Sequence, residues 1–142
     1  MKNLIFLSMI LVVSCNNIQS GSNLSASEHS RIDKLFRLEE NETIINFYSE
    51  FKSSVAGNFY TEIRVATYWI DENNDSKNQV NNAFYTEITK IDTVTNAGLT
   101  YSPYLLITKE NGSSFKVCFD GEKSDLKRIF TDVLNRWEKA GN

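Results

Sequence analysis

The chain is short of the residue types that build metal centres and nucleophilic active sites. Its 142 residues include one histidine, two cysteines and one proline. These are too few soft ligands for a structural zinc site, and we predict no bound metal and no cofactor. A serine or cysteine nucleophile would have to take its base from His29 alone, and no G-x-S-x-G, Ser-x-x-Lys or H-E-x-x-H motif occurs. The sequence therefore predicts a protein that is not an enzyme.

The chain also has no excess of basic residues. Fifteen Lys and Arg face 18 Asp and Glu, which gives a formal net charge of −3 and a pI near 5.2. Nucleic-acid-binding proteins need a basic face to neutralise phosphates, so we expect no nucleic-acid partner. Hydrophobic residues make up 41% of the chain. That share allows one domain of this length to bury a core without disulfide or metal support.

No apolar run is long enough to span a membrane. The longest, from Leu4 to Val13, is broken by Ser8 and would rise about 15 Å as a helix, half of a bilayer core of about 30 Å. It follows a short basic start and ends in Val12-Val13-Ser14-Cys15. This segment resembles the lipobox signal peptide of bacterial lipoproteins, over residues 1–15 only. A cleaved signal peptide with a coincidental cysteine is the alternative.

The resemblance implies that residues 1–14 are removed and that Cys15 carries a diacylglyceryl thioether, usually with an amide-linked acyl chain such as palmitate. The protein would then be lipid-anchored in the bacterial envelope, with the bilayer as one partner. Asn16, rather than Asp, follows the cysteine. In enterobacteria this residue implies sorting to the outer membrane, facing the periplasm, whereas other phyla read different sorting signals. Residues 15–28 are rich in Asn, Ser and Gly and predict a flexible tether. A single domain over residues 29–142 follows.

The pattern of apolar residues in this domain predicts an α+β fold. Helical spacing indicates helices at 30–38 and 42–55, or one bent helix. Alternation predicts an antiparallel meander of four strands at 58–69, 83–94, 101–109 and 115–119, with a bulge near Thr89 or Lys90 and a type I′ hairpin at Asn111-Gly112. An amphipathic helix that contains Leu126 and Trp137 would pack on one face of the sheet.

The uncovered sheet face is the candidate binding site. Alternation places Tyr60, Arg64 and Tyr68 on the outward face of the first strand, with Tyr85 on its neighbour. Tyr and Arg are enriched at protein interfaces, and we predict that these four residues bind another envelope protein. An immunity-type inhibitor of a periplasmic toxin is one specific form of this hypothesis. The alternative explanation is that tyrosine is simply a common strand residue.

Two other functions remain open. A curved sheet under helices can enclose a cavity, so the protein could carry or sense a small apolar ligand. The lining residues would be Phe59, Trp69, Phe84, Phe115 and Trp137. The third hypothesis, an envelope hydrolase, needs two carboxylates such as Glu62 and Glu87, whose pattern is more typical of an ion-paired surface.

Two further motifs are weak candidates for a chemical site. Cys118 could react or pair between chains, although nothing in the sequence lowers the pKa of its thiol. Asp71–Asp75 lacks the glycine and the final glutamate of a calcium loop.

Overall fold

A computed structural model describes residues 17–96 and 101–141. Two helices and two antiparallel sheets form the fold, and the α+β prediction is confirmed. The first sheet contains, in spatial order, β1 (Gln19–Ser20), β2 (Ile44–Tyr48), β3 (Ala56–Thr61), β4 (Arg64–Trp69) and β5 (Gln79–Phe84). The second sheet contains β6 (Ile88–Val94), β7 (Tyr104–Lys109) and β8 (Ser114–Cys118). The helices are α1 (Ala26–Phe36) and α2 (Lys123–Lys139).

The predicted four-stranded meander is wrong, and one reason is a hairpin inside the predicted first strand. β3 and β4 pair with each other, and Tyr60 lies opposite Val65. The turn contains no Gly, Pro, Asn or Asp. Instead, the hydroxyl of Thr61 accepts hydrogen bonds from the backbone amides of Ile63 and Arg64, both at 3.1 Å. A two-residue turn also preserves the alternation of apolar residues, so the pattern reads as one continuous strand.

The predicted second helix is a strand. Ile44, Phe47 and Tyr48 have helical spacing, yet they belong to β2, which pairs with β1 on one side and β3 on the other. Four of the five residues of β2 are buried. A strand covered on both faces loses its two-residue period, and periodicity alone cannot separate it from a buried helix.

The predicted second strand divides between the sheets. β5 begins at Gln79, four residues before the predicted start, and after Phe84 a 3-10 turn (Tyr85–Glu87) leads into β6 of the other sheet. The expected bulge near Thr89 is confirmed as a register shift between Ile88 and Lys90. The hairpin at Asn111-Gly112 has a three-residue loop rather than a type I′ turn, because only the glycine has positive φ, at 83°.

The expectation of a flexible tether up to residue 28 is wrong for the residues that the structure describes. Gln19 pairs with Phe47, and Leu24 is buried in the core. Gly21 lies against β2 so closely that a Cβ atom there would be 1.8 Å from the carbonyl oxygen of Ile44. A capping box of Ser25 and Glu28 then starts α1. The folded domain therefore begins ten residues earlier than predicted. The predicted signal peptide and Cys15 lie outside the described residues.

The C-terminal amphipathic helix is confirmed. Leu126, Ile129, Phe130 and Val133 of α2 are buried in a core cluster that lies between α2 and the two sheets. A second cluster lies between α1 and the first sheet, around Ile32, Phe36 and Phe59. Helices therefore cover the first sheet from both directions. Within the described ranges neither helix is long and apolar enough to cross a membrane.

Candidate functional site

The predicted tyrosine docking face does not exist. Tyr60, Arg64, Tyr68 and Tyr85 are all buried, with no side chain more than 4% exposed. Tyr60 and Tyr85 belong to the core under α2, whereas Tyr68 packs against α1. The prediction fails because it assumes one covered sheet face, and both faces of β3 and β4 are covered. These four residues are structural.

The hydroxyls of these three tyrosines each donate a hydrogen bond that joins two elements. Tyr60 contacts Asp132 of α2 at 2.9 Å, and Tyr85 donates to the carbonyl oxygen of Thr61 at 2.9 Å. Tyr68 donates to the carbonyl oxygen of Ser53 in the β2–β3 loop. The pKa of each of the three hydroxyls is raised above its ordinary value, and burial is the largest cause of this rise. They therefore stay protonated.

Arg64 forms a buried ion pair with Glu42. Its Nε and Nη2 atoms lie 2.6 Å from the two carboxylate oxygens, and its Nη1 donates to the carbonyl oxygen of Phe36 at 3.2 Å. The guanidinium also lies 4.5 Å from the centre of the Phe84 ring. Arg64 thus joins the end of α1 to the first sheet.

The five aromatic residues of the apolar-cavity hypothesis do not line one pocket. Phe59 is buried against Phe36, Phe84 lies under the Arg64 guanidinium, and the Trp137 indole donates to the carbonyl oxygen of Ile88. Only Trp69 and Phe115 meet at a common cavity.

That cavity is a cleft between the edge of the second sheet and the open part of the first, with a volume of about 520 Å³. It is within the size range of small-ligand sites. We call it the inter-sheet cleft. It is lined by Glu50, Asn58, Thr67, Tyr68, Trp69, Gln79, Asn81, Ser114, Phe115, Lys116 and Cys118. Most of these side chains are polar, and they include one carboxylate and one ammonium group, so the cleft has no strong charge of either sign.

Strand register explains how these polar side chains come together. Asn58 of β3, Thr67 of β4 and Asn81 of β5 lie opposite one another, and Trp69 lies opposite Gln79 one step further along the same face. Ser114, Lys116 and Cys118 alternate along one face of β8. Gln79 and Asn81 belong to β5, although they precede residue 83, where the predicted second strand begins.

Asn58 fixes the floor of the inter-sheet cleft. Its Nδ2 donates to Glu50 at 2.6 Å and to the carbonyl oxygen of Tyr48 at 3.4 Å. Its Oδ1 accepts from the hydroxyl of Thr67 at 3.0 Å and from the backbone amide of Cys118 at 2.9 Å. All hydrogen-bonding positions of this buried amide are therefore used by the protein.

The inter-sheet cleft also exposes the backbone of β8. This strand is the last of the second sheet, and the amide of Cys118 points away from β7, towards Asn58. Backbone groups alternate along an antiparallel strand, so those of Ser114 and Lys116 point the same way, into the cleft. Among the described residues no other strand pairs with this edge. An unpaired edge of this kind can accept an additional strand.

Cys118 has no features of a reactive thiol. The side chain is half-buried, and burial raises the pKa of its thiol to about 11, with a further rise from nearby Glu50 and a small opposing effect of Lys116. Lys116 itself lies 4.5 Å above the ring of Tyr104. The thiol is therefore protonated at neutral pH, and it would be a poor nucleophile or metal ligand.

The other polar motifs of the sequence form no chemical centre. Asp71 accepts hydrogen bonds from the backbone amides of Asn73 and Asn74, as in an ordinary turn. Glu62 accepts a hydrogen bond from the backbone amide of Thr43, and Glu87 accepts one from the amide of Phe84, so each carboxylate is held by a different backbone amide. No group of three metal-ligating side chains occurs in residues 17–96 and 101–141.

Comparisons with known proteins identify the fold alone. No protein-family model and no curated protein matches the sequence. The structure is similar to a crystal structure, at 2.00 Å resolution, of a DUF1696 family protein with a pleckstrin-homology domain from Shewanella loihica PV-4. The TM-score is 0.56 with 15% sequence identity, and the match covers 86% of this chain and 98% of the other.

Proposed function

We propose that this protein is a lipoprotein of the bacterial envelope whose folded domain binds a partner protein. The lipobox resemblance of residues 1–15 supports an anchor at Cys15, in the outer membrane facing the periplasm. Only three residues separate Cys15 from the first strand, at Gln19. Four residue steps extend at most about 14 Å, so acylation would hold the domain close to the bilayer rather than on a long tether.

The unpaired edge of β8 inside the inter-sheet cleft carries the proposal for the binding site. An extended segment of a partner would pair with the backbone of Ser114 and Lys116, as in other complexes formed by strand addition. Its side chains would contact Asn81 and Gln79 on the first sheet. The balance of Glu50 and Lys116 favours a segment with polar, uncharged side chains.

The chemistry of the inter-sheet cleft supports binding rather than catalysis. Glu50 accepts a hydrogen bond from Asn58, and the raised pKa of Cys118 leaves no thiolate at neutral pH. A general base or a nucleophile in this cleft would need one of these two groups to be free. An immunity-type inhibitor, which holds an incoming toxin by such a segment, is the specific form of the proposal that the envelope location favours.

A proline substitution separates strand addition from side-chain binding. Lys116→Pro removes the amide that faces the cleft, at an edge position where proline disrupts no pairing within the fold. Lys116→Ala removes the side chain beyond Cβ, with its ammonium group, but keeps the backbone amide. We expect Lys116→Pro to weaken partner binding about tenfold or more, since the partner's carbonyl group loses its donor, whereas Lys116→Ala retains most of it.

The partner must first be captured. A photoreactive amino acid at Asn81, in the inter-sheet cleft, is compared in intact cells with the same group at Asn135, an exposed asparagine of α2. A crosslink from position 81 only, mapped by mass spectrometry to one segment of the captured protein, supports the site. Equal crosslinking from both positions, or binding unchanged in Lys116→Pro, would contradict it.

A second candidate function, binding of a small apolar ligand, is favoured by a groove between β6 and α2. Its volume is about 630 Å³, and Leu126, Phe130 and Leu134 form its apolar floor. Thr93 lies at its rim, so Thr93→Trp should obstruct it. The test is the binding of a fluorescent fatty acid, which this variant should abolish. Thr89→Trp, an exposed position on the same strand that does not line the groove, is the matched control.

A further inference from the structure

The large exposed hydrophobic side chains collect at one end of the molecule. Among the described residues there are four of them, with exposed fractions of 57% for Phe51, 43% for Trp69, 39% for Val80 and 74% for Tyr101. Single exposed apolar residues are common on protein surfaces, but a group at one place indicates a contact surface. We call this group the aromatic end.

The strand register shows why these residues share one end. Trp69 is the last residue of β4 and lies opposite Gln79, so Val80 is at the same end of β5. Phe51 follows the end of β2 and lies in the loop that leads to β3, whose first residue, Ala56, also lies opposite Trp69.

Tyr101 reaches the same end from the second sheet. The side chain of its neighbour Ser102 interacts with the hydroxyl of Tyr48, the last residue of β2. Two loops and the ends of two strands therefore meet at this place. The aromatic end thus combines residues that are up to 50 positions apart in the sequence.

The N-terminal segment enters the domain at the aromatic end. Gln19 of β1 lies opposite Phe47 of β2, and the strands are antiparallel. The register therefore places Ile18 beside Tyr48. Ile18 also lies within 3.3 Å of the position that a Cβ atom would take at Gly121, just before α2.

Cys15 is three residues before Ile18, and Phe51 is three residues after Tyr48. Three extended residues span at most about 11 Å, so an acyl group on Cys15 would be attached within that distance of Ile18, at this end of the domain.

We propose that the aromatic end contacts the bilayer, with Phe51, Trp69 and Tyr101 in the interface between headgroups and acyl chains. The proposal rests on the proposed lipid anchor at Cys15, because the short connection from that residue presents this end to the membrane. Trp and Tyr are enriched at this depth in membrane proteins, since their rings are apolar and one edge is polar. The side chains would supply a second membrane contact and would fix the orientation of the domain.

Charge does not drive this contact. Lys52, beside Phe51, forms an ion pair of 3.1 Å with Glu72. Glu50 and Asp120 are exposed near the same strand ends, which makes the surroundings acidic rather than basic. Anionic lipids attract basic segments, so an acidic surrounding gains nothing from them. The bilayer contact should therefore form on neutral lipids and should be insensitive to salt.

The two tryptophans provide a reporter and an internal control. Trp69 belongs to the aromatic end, whereas Trp137 is near the end of α2 and donates a hydrogen bond to Ile88, at the far end of the second sheet. The mature acylated protein is purified from membranes and reconstituted into phosphatidylcholine vesicles whose acyl chains carry bromine, a contact quencher of tryptophan fluorescence.

We expect brominated lipid to quench a large part of the emission of the native protein and almost none in Trp69→Phe, where only Trp137 emits. Phe51→Ser/Tyr101→Ser should keep the protein on the vesicles but reduce the quenching of Trp69 by about half or more, because the ring loses its neighbours in the interface. Quenching should be equal at low and high salt.

The outcomes separate this proposal from the anchor on which it rests. Mass spectrometry of the N-terminal peptide determines whether Cys15 is acylated. An unmodified Cys15, with protein that leaves the vesicles, would overturn the anchor. An acylated protein that stays on the vesicles while Trp69 remains unquenched would overturn the contact of the aromatic end alone. Equal quenching of Trp69 and Trp137 would likewise contradict the proposed orientation.

Discussion

Asn58 of β3 and the backbone of Cys118 in β8 are joined by a hydrogen bond of 2.9 Å, in which the Cys118 amide donates to Oδ1. The two strands belong to different sheets, so this bond connects sheets that share no ladder. The amide group of Asn58 also holds Glu50 through Nδ2. One buried side chain therefore fixes the junction of the sheets and the floor of the inter-sheet cleft.

Asn58→Asp should destabilise the protein at neutral pH. The substitution replaces a donor to Glu50 by a second carboxylate, and the loss of a satisfied buried group costs about 1–3 kcal/mol. The introduced carboxyl group would then lie beside the carboxylate of Glu50, which raises the pKa of the introduced group in the folded state. A carboxyl group with a raised folded pKa loses stability as pH rises, so part of the loss should be recovered at pH 5.

Urea unfolding at pH 7 and pH 5 measures this effect, and Asn58→Ala is the control. Asn58→Ala also breaks the bonds to Glu50 and Cys118 but adds no charge. Its loss of free energy of unfolding should be similar at both pH values. An equal loss at both pH values in Asn58→Asp would show that the new carboxylate does not meet Glu50.

Glu42→Ala should be one of the most destabilising single substitutions. It leaves the Arg64 guanidinium buried without its carboxylate, and breaking a buried ion pair in this way costs about 3–5 kcal/mol. Replacing both partners, as in Glu42→Leu/Arg64→Met, should recover most of that loss because no charge then remains buried. Chemical denaturation of the two variants tests the prediction. A double variant that is less stable than Glu42→Ala would contradict this account.

The Glu42–Arg64 pair should also contribute to unfolding in acid. Burial raises the pKa of Glu42, but hydrogen bonds from Arg64, the Glu39 amide and Thr61 outweigh it, and the net pKa lies below the ordinary 4.5. A depressed folded pKa gives stability that is present above pH 4.5 and is lost as pH falls through the folded value. In Glu42→Gln, which cannot titrate, the urea midpoint should fall less between pH 5 and pH 3 than in the native protein. An identical fall in both proteins would show that Glu42 does not contribute.

The elements that could be predicted from the sequence are those that pack against the core on one face only, because their apolar residues then recur at a regular spacing. The helix around Ile129 and Val133 packs on one side, and its apolar stripe is clear in the sequence. The bulge near Thr89 was also visible, because the strand changes phase there. In contrast, all six residues of β3 are buried, so no alternation could distinguish its two covered faces or reveal Tyr60 as a core residue.

The inter-sheet cleft could not be predicted because it depends on pairing between distant segments. Asn81 of β5 and Ser114 of β8 line the same cleft only because their two sheets approach each other at Asn58. The Ser25-x-x-Glu28 capping box was a usable local signal, and it marks the start of α1 inside the supposed tether. This capping box was overlooked because the neighbouring residues are as polar as those of a linker.

Gly21→Ala should test whether the segment before α1 belongs to the fold. The added Cβ would overlap the carbonyl oxygen of Ile44, so the backbone of β1 or β2 would have to move. Such overpacking costs about 1–3 kcal/mol, and a contact with backbone lies at the upper end. Ser22→Ala, at an exposed neighbour, should change the free energy of unfolding by less than about 0.5 kcal/mol. Equal stability of both variants would show that this segment is a tether after all.

Cys118 should react slowly with alkylating reagents while the protein is folded. Burial raises the pKa of its thiol from 9.0 to about 11, which lowers the thiolate fraction at pH 8 by about 100-fold relative to an ordinary cysteine. Alkylation by iodoacetamide, followed by mass spectrometry on the peptide that contains Cys118, should accelerate by that order in urea. Glu50→Gln removes a negative charge that contributes to the raised pKa. It should increase the native rate only modestly, because burial is the larger cause. An alkylation rate in the folded protein equal to the rate in urea would show that the thiol is exposed to solvent. The inter-sheet cleft would then be open at Cys118, where Asn58 closes it in the structure.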